Sequence, residues 1–226
     1  MKGGATQGLN EPSPAPMVDF AVVEARGERH AATPTMVFGC RVREGSGAAI
    51  FTIAPTCQIN LDPARRRYDD ETRARLVELF GEPQRWGATT HSFMWARQSV
   101  LVPSFTDETS FEIPVVCTYD LEVSSAKYFH SLPDGEIPLT FLMSGSIFYR
   151  GPGGALRVVP VPWDKQARFA LPVATWRGMI EAHYPKGSWI RLQRDTLDSL
   201  ERYKAGEGFP SFDETVADLL RRSHTQ

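Results

Sequence analysis

The sequence predicts an α+β fold: a large twisted antiparallel β-sheet of long, sandwich-like hairpins, one inserted helix and a C-terminal helical segment. Three observations predict it. Apolar residues recur at every second position through long runs between Met36 and Tyr149. Helical spacing takes over after Pro172. Strands gathered first and helices last favour a sheet covered on one face or at one end, not alternating βαβ units.

Residues 1–16, MKGGATQGLNEPSPAP, bury too little apolar surface to offset chain entropy and are expected to form a disordered tail. A single α+β domain is expected over 17–226, with its helical part at about 172–223. In TMVFGCRV, Met36, Phe38, Cys40 and Val42 share one face, and GSG at 45–47 turns the chain. Residues 49–61 then alternate again, so the two runs read as a hairpin centred near Ser46 that sets Cys40 opposite Thr52. Pro55 cannot donate to a ladder, which places this strand at an edge or at a bulge. DDETRARLVELFGEP reads as the inserted helix. Asp69 or Asp70 caps it, Leu76, Leu79 and Phe80 form its apolar stripe, Gly81 ends it and Pro83 blocks its resumption. Further strands are expected around 89–102 and 110–123.

CTYDLEVSSAKYFHSL, residues 117–132, collects a thiol, phenols, carboxylates, an amine and an imidazole. Phe111, Ile113, Val115, Cys117, Tyr119, Leu121 and Val123 are all odd-numbered, so Cys117 faces the core and Asp120 faces away. The two cannot form a nucleophile–base pair within one strand. After Ser124 the phase flips, as at a β-bulge, with a short helical turn at 124–131 as the competing reading. PDG at 133–135 reverses the chain, making 117–149 mainly a long hairpin. If the protein is an enzyme, its site assembles on that hairpin from Asp120, Lys127, Tyr128 and His130. SGS at 144–146 lacks the frame of a nucleophile elbow and eases close backbone packing, while GPGG at 151–154 is a hairpin turn.

The C-terminal third carries Val173, Trp176 and Ile180 at helical spacing behind Pro172. Leu197, Leu200 and Tyr203 line a second helix that stops at Gly206. Ser211 and Glu214 stand in capping-box spacing before Val216, Leu219 and Leu220.

A net charge of −2 gives no basic stripe, which argues against nucleic acid as a partner. Arg65, Arg66 and Arg67 read as solvated surface. Three cysteines without a C-x-x-C pair support neither a disulfide framework nor a zinc site, and the scattered histidines supply no metal-binding spacing. No phosphate loop or dinucleotide fingerprint occurs, so no cofactor is expected. The longest apolar stretch is about 13 residues, near 137–149, short of the roughly 20 a spanning helix needs. A cytoplasmic protein without membrane insertion is expected. Trp86 and Trp163 are the partner-binding candidates. Each follows turn-like, proline-bearing sequence (GEPQRW, VPVPW), and each has charged neighbours, Arg85 beside one and Asp164 and Lys165 beside the other.

Several blocks carry a wider resemblance: PTMVFGCRV, QINLDPARRRYDD, LFGEPQRWG, VVCTYDLEVSSAKYFHSLPDGEIPLTFLMSGSIFYR, VPVPWDKQARFALPVATWR and RYKAGEGFPSFDETVADLL. Together they resemble a bacterial, largely actinobacterial, domain-of-unknown-function family whose genes often lie beside those of nickel–iron hydrogenases and their maturation factors. The resemblance spans about 17–222. It implies a non-catalytic accessory or assembly factor with a hydrogenase subunit or maturation factor as partner, and it carries over no catalytic residue. A slighter likeness, in the long antiparallel strands and in Gly208-Phe209-Pro210, is to the SecB-type export chaperone. It too implies protein binding.

Overall fold

Alternating apolar residues oblige each strand to bury one face. In the computed structural model, which describes residues 15–117, 123–185 and 192–223, those faces meet between two antiparallel sheets. One sheet is ordered β1 (Val18–Gly27), β2 (Thr35–Glu44), β5 (Glu108–Val116). The other is ordered β4 (Phe93–Ser99), β3 (Ile50–Leu61), β6 (Glu136–Arg150), with both β7 (Leu156–Pro160) and β8 (Gln166–Pro172) alongside β6. Between the sheets, Phe38 meets Phe141, Trp95 and Phe169 edge to face at 5.0, 5.9 and 6.1 Å. Ile53, Ile59, Ile113, Leu139 and Ile147 are fully buried around it. Each such side chain contributes about 1.5–3 kcal/mol of burial free energy.

The helices of this unit are α1 (Asp70–Phe80), α2 (Trp86–Thr89), α3 (Val123–Ser131) and α4 (Val173–His183). The Asp69 carboxylate caps α1 by accepting the Thr72 N–H at 2.7 Å, and Gly81 closes it at φ 77°. Val173, Trp176 and Met179 form the buried side of α4. The chain divides into two compact units, the first ending at Pro185. The second holds α5 (Arg194–Glu207) and α6 (Phe212–Ser223), joined by a Tyr203 hydroxyl bond to Asp218 at 2.9 Å and an Arg222–Glu207 ion pair at 3.0 Å. The Ser211 hydroxyl accepts the Glu214 N–H at 3.2 Å, as the capping spacing predicts. Gly206 lies inside α5, and Gly208 at φ 76° ends it instead.

The α+β expectation holds, and three of its pairings are corrected. First, β2 and β3 are not a hairpin. They belong to opposite sheets, so Cys40 lies opposite Val22 and Phe111, not Thr52. The cause is local. The buried Glu44 carboxylate accepts the Ser46 N–H and hydroxyl at 2.9 and 2.6 Å, the Ala48 N–H at 2.9 Å and the Met17 N–H at 2.8 Å. These bonds bend 44–48 into an arch that carries the chain from one sheet to the other. Second, Pro55 sits in a central strand, between β6 and the continuation of β4. Its missing N–H faces Val100, just past the end of β4, and its carbonyl still accepts the Val100 N–H at 3.1 Å. Third, 117–149 is not a hairpin: β5 pairs with β2, β6 pairs with β3, and α3 lies between them. The phase flip after Ser124 marks that helix, not a bulge.

Gly145 bears out the close-packing reading of SGS. It lies opposite Pro55 at φ 129°, and a Cβ there would stand 2.2 Å from the Ala54 carbonyl oxygen. Gly145→Ala is therefore expected to cost at least about 2 kcal/mol, read from urea denaturation midpoints.

Burial opposes ionisation of Glu44, but the bonds from Ser46, Met17 and Ala48 outweigh it and hold its pKa below the ordinary 4.5. Its folded pKa is thus depressed, so its stabilisation is complete above about pH 4.5 and is lost as pH falls through the lower folded value. Glu44→Gln should cost about 2 kcal/mol at neutral pH and flatten the acid limb of the stability profile. Chemical denaturation at stepped pH measures both.

Candidate functional site

Leaving β3, the chain turns through a 3-10 segment, Pro63–Arg65, and enters α1 past Tyr68. The Tyr68 hydroxyl donates to the Pro63 carbonyl at 2.8 Å. Its single proton is thereby committed, so the buried Tyr128 hydroxyl, 2.7 Å away, donates to it. Burial, with Tyr68 adjacent, holds the Tyr128 phenol far above its ordinary pKa. Beyond α1, a second 3-10 turn, Pro83–Arg85, delivers Trp86. The Trp86 indole N–H donates to the Gly81 carbonyl at 2.8 Å, and its ring meets Tyr68 and Phe80 edge to face at 5.5 and 5.6 Å.

Between these segments lies a cleft of about 760 Å³, walled by Tyr68, Trp86, Pro63 and Pro83 and lined by Arg66, Arg67, Arg73, Gln84 and Thr90. Arg65 and Arg67 are exposed, as the solvated reading of the 65–67 triplet expects, and Arg66 corrects it. The Arg66 side chain is only 12% exposed and donates to the carbonyls of Glu136 and Asp134 at 2.7 and 2.6 Å. Arg67 is exposed, and Arg73 pairs with Asp70 at 3.0 Å. Arg85, beside Trp86, is exposed and does not line the cleft.

Trp163 has a different setting. Ser146 pairs with Pro160 and Leu142 with Gln166, so three residues of β6 face five of the strand beside it. The two extra residues leave as a turn, Pro162 to Lys165, closed by a Lys165 N–H bond to the Pro162 carbonyl at 3.2 Å. Trp163 and Asp164 stand at its tip. Trp163 is 96% exposed, and Asp164 is exposed beside it. The Lys165 ammonium bonds Asp19 of β1 at 2.7 Å, tying down the turn's far side.

The residues singled out on 117–149 do not converge among the described residues. Lys127 forms an ion pair with Glu78 of α1, Tyr128 is buried against Tyr68, and His130 rests edge-on against Trp176 at 4.9 Å. Desolvation there, with Arg177 near, holds the His130 imidazole below its ordinary pKa. Asp120 lies outside the described residues, as do Trp189, His224 and residues 1–14 of the expected tail. Cys40 and Cys57 are buried in the core, while Cys117 is half-buried at its margin. Burial pushes all three thiols up to about 12. Among the described residues, no group of three or more His, Cys, Asp or Glu is placed to hold a metal ion. No helix there is long and apolar enough to cross a membrane.

Two facing antiparallel sheets, a basic aromatic cleft at one end and an exposed tryptophan turn on one edge define an α+β protein of sandwich architecture. The chain belongs to the family of unknown function DUF6084, which it matches over residues 15–226. It matches no curated protein. Among solved structures it is similar to β-glucosidase from Kluyveromyces marxianus, at 6% identity over 70% of this chain, with TM-score 0.27. The chain spans only 15% of that enzyme's length. It is also similar to a CARDB domain from Pyrococcus furiosus, at 8% identity over 70% of this chain and 92% of that one, with TM-score 0.28. A third is the ApaA protein from Bordetella pertussis, at 14% identity over 71% and 96% of the two chains, with TM-score 0.25.

The sequence leaves Trp86 and Trp163 equivalent as candidates; the structure separates them energetically. Trp86→Ala removes a hydrogen-bonded ring from two aromatic contacts and should cost about 2–3 kcal/mol of stability. Trp163→Ala removes a ring in water and should change stability by less than about 0.5 kcal/mol. Thermal melts of the two variants compare them directly.

Proposed function

We propose that the protein is a non-catalytic, protein-binding accessory or assembly factor that works in the cytoplasm, and that its partner belongs to a nickel–iron hydrogenase system. The observation that carries the protein-binding part is Trp163, 96% exposed on a turn whose base is tied by the Lys165–Asp19 pair. An interruption that merely protected a sheet edge would be served by a charge or a proline. A tryptophan held out on a fixed turn instead presents a large apolar ring at low entropic cost to association. The same edge offers Leu156 and Val158, both more than half exposed, and charged Asp164 sits where a polar rim would form. The hydrogenase assignment rests on the sequence resemblance alone.

Affinity capture with the full chain from a hydrogen-oxidising host tests the proposal. The wild-type protein is expected to retain a hydrogenase subunit or maturation factor. Trp163→Ala is expected to weaken that retention roughly thirtyfold, the equivalent of about 2 kcal/mol at a hot spot. Recovery of no hydrogenase component overturns the partner assignment. Equal capture by both forms overturns the role of Trp163.

A further inference from the structure

The cleft beside Trp86 has no part in that reading, and its chemistry is distinct. Three arginines, Arg66, Arg67 and Arg73, line it, and no acidic residue does. Among the described residues, two buried side-chain polar atoms lack a hydrogen-bond partner: Arg66 Nε and Thr90 Oγ1. Both belong to residues lining this one cleft. A buried polar group without a partner is costly, and such groups in native proteins call for an explanation. Each of these atoms carries a hydrogen to donate, so what the cleft lacks is an acceptor.

The aromatic side of the cleft has the opposite character. Tyr68 and Trp86 have their polar atoms already satisfied by the Pro63 and Gly81 carbonyls, at 2.8 Å each. Their rings are fixed edge to face 5.5 Å apart, which leaves apolar ring surface as their contribution to the cleft. The volume, about 760 Å³, lies within the range of small-molecule sites.

We propose that this cleft binds a small organic phosphate in which a phosphoryl dianion is joined to a flat ring. The dianion fits better than a lone carboxylate because three arginines line the cleft and none of its lining residues is acidic. Arg67, which makes no hydrogen bond or ion pair among the described residues, and Arg73 meet the phosphoryl group first. The ring lies against Trp86 and Tyr68. A side-chain movement in the wall then exposes Arg66 Nε and Thr90 Oγ1 to the phosphoryl oxygens, and the charge-assisted bonds drive it. A merely solvated basic lip would account for Arg67 but not for two unpartnered donors on residues lining the same cleft.

Calorimetric titration of the full chain at low salt tests this, with adenosine monophosphate as the probe. Adenosine serves as the ring without charge, and inorganic phosphate as the charge without a ring. Adenosine monophosphate is expected to bind at least tenfold more tightly than either. Arg67→Gln and Arg73→Gln should each weaken it roughly tenfold, as loss of a charge-assisted bond does, while leaving the melting temperature in place. Trp163→Ala should leave the titration unchanged, so this site and the partner surface stand or fall separately. No heat at millimolar adenosine monophosphate overturns the proposal. So does an affinity unaltered in both arginine variants. Adenosine binding as tightly as the monophosphate overturns the anion assignment, and inorganic phosphate binding as tightly overturns the ring.

Discussion

The architecture depends on one buried carboxylate. Glu44 ends β2 and draws four donors from Met17, Ser46 and Ala48 onto its two oxygens. Those bonds do three things at once. They fix the start of β1, because Met17 also accepts the Gly45 N–H at 2.8 Å. They bend the chain so that Ile50 starts a strand in the opposite sheet. They leave the Glu44 N–H free to reach the Asp107 carbonyl at 2.7 Å, which sets the entry to β5. An ionised carboxylate is costly inside a protein unless its lone pairs are filled, and here the arch itself fills them. Ala48, the last residue of the arch, is buried, leaving little room for a chain that overshoots the crossing.

With the crossing fixed, the second sheet inherits an edge beside β6 that must be managed. Two short strands, β7 and β8, run along β6 in place of one long strand, and residues 162–164 between them leave the ladder. That break shortens each flat edge and limits pairing with other chains. It also produces the Trp163 turn. One local insertion therefore answers a folding hazard and generates the most exposed aromatic among the described residues. Gly145 faces the same break: its carbonyl accepts the Val161 N–H at 2.9 Å while its missing Cβ admits the Ala54 backbone.

What was legible in the sequence is what depends on near neighbours. The alternation at 36–42 and 49–61, the Asp69 cap, the Gly81 stop and the Ser211 cap each depend on a few consecutive residues. Strand partnership does not. Nothing between Met36 and Leu61 reveals that β2 chooses β1 and β5, because that choice is made by Glu44 bonding Met17, 27 residues away. The phase flip at Ser124 fits a bulge and a helix equally well until tertiary packing arbitrates. The cleft was illegible for the same reason. Arg66, Arg73 and Thr90 come from separate segments, and a run of arginines reads as solvent-facing until its neighbours in space are known. The proline-bearing GEPQRW did mark one wall of it, though as a surface anchor and not as a wall.

The stretch that looks most like an active site, 117–132, is where sequence and structure teach most. Of its described functional groups, Lys127, Tyr128 and His130 are all engaged in packing or pairing. Lys127 reaches across to Glu78 and joins α3 to α1. Tyr128 supplies the proton that orients Tyr68, so the phenol ring walling the cleft is set from behind by a fully buried residue. Edge-to-face and tilted contacts continue the line from Trp86 to Phe80, from Phe80 to Tyr128 at 6.0 Å, and from Tyr128 through Phe129 to Trp176. Each such pair adds about 0.5–1.5 kcal/mol beyond burial, and together they hold α1, α2, α3 and α4 as one aromatic wall. A catalytic group needs a free face and a movable proton, and the buried rings of Phe80, Tyr128 and Phe129 have neither. Their contribution is rigidity: they fix the rings of the cleft in place beside its two unpartnered donors, Arg66 Nε and Thr90 Oγ1.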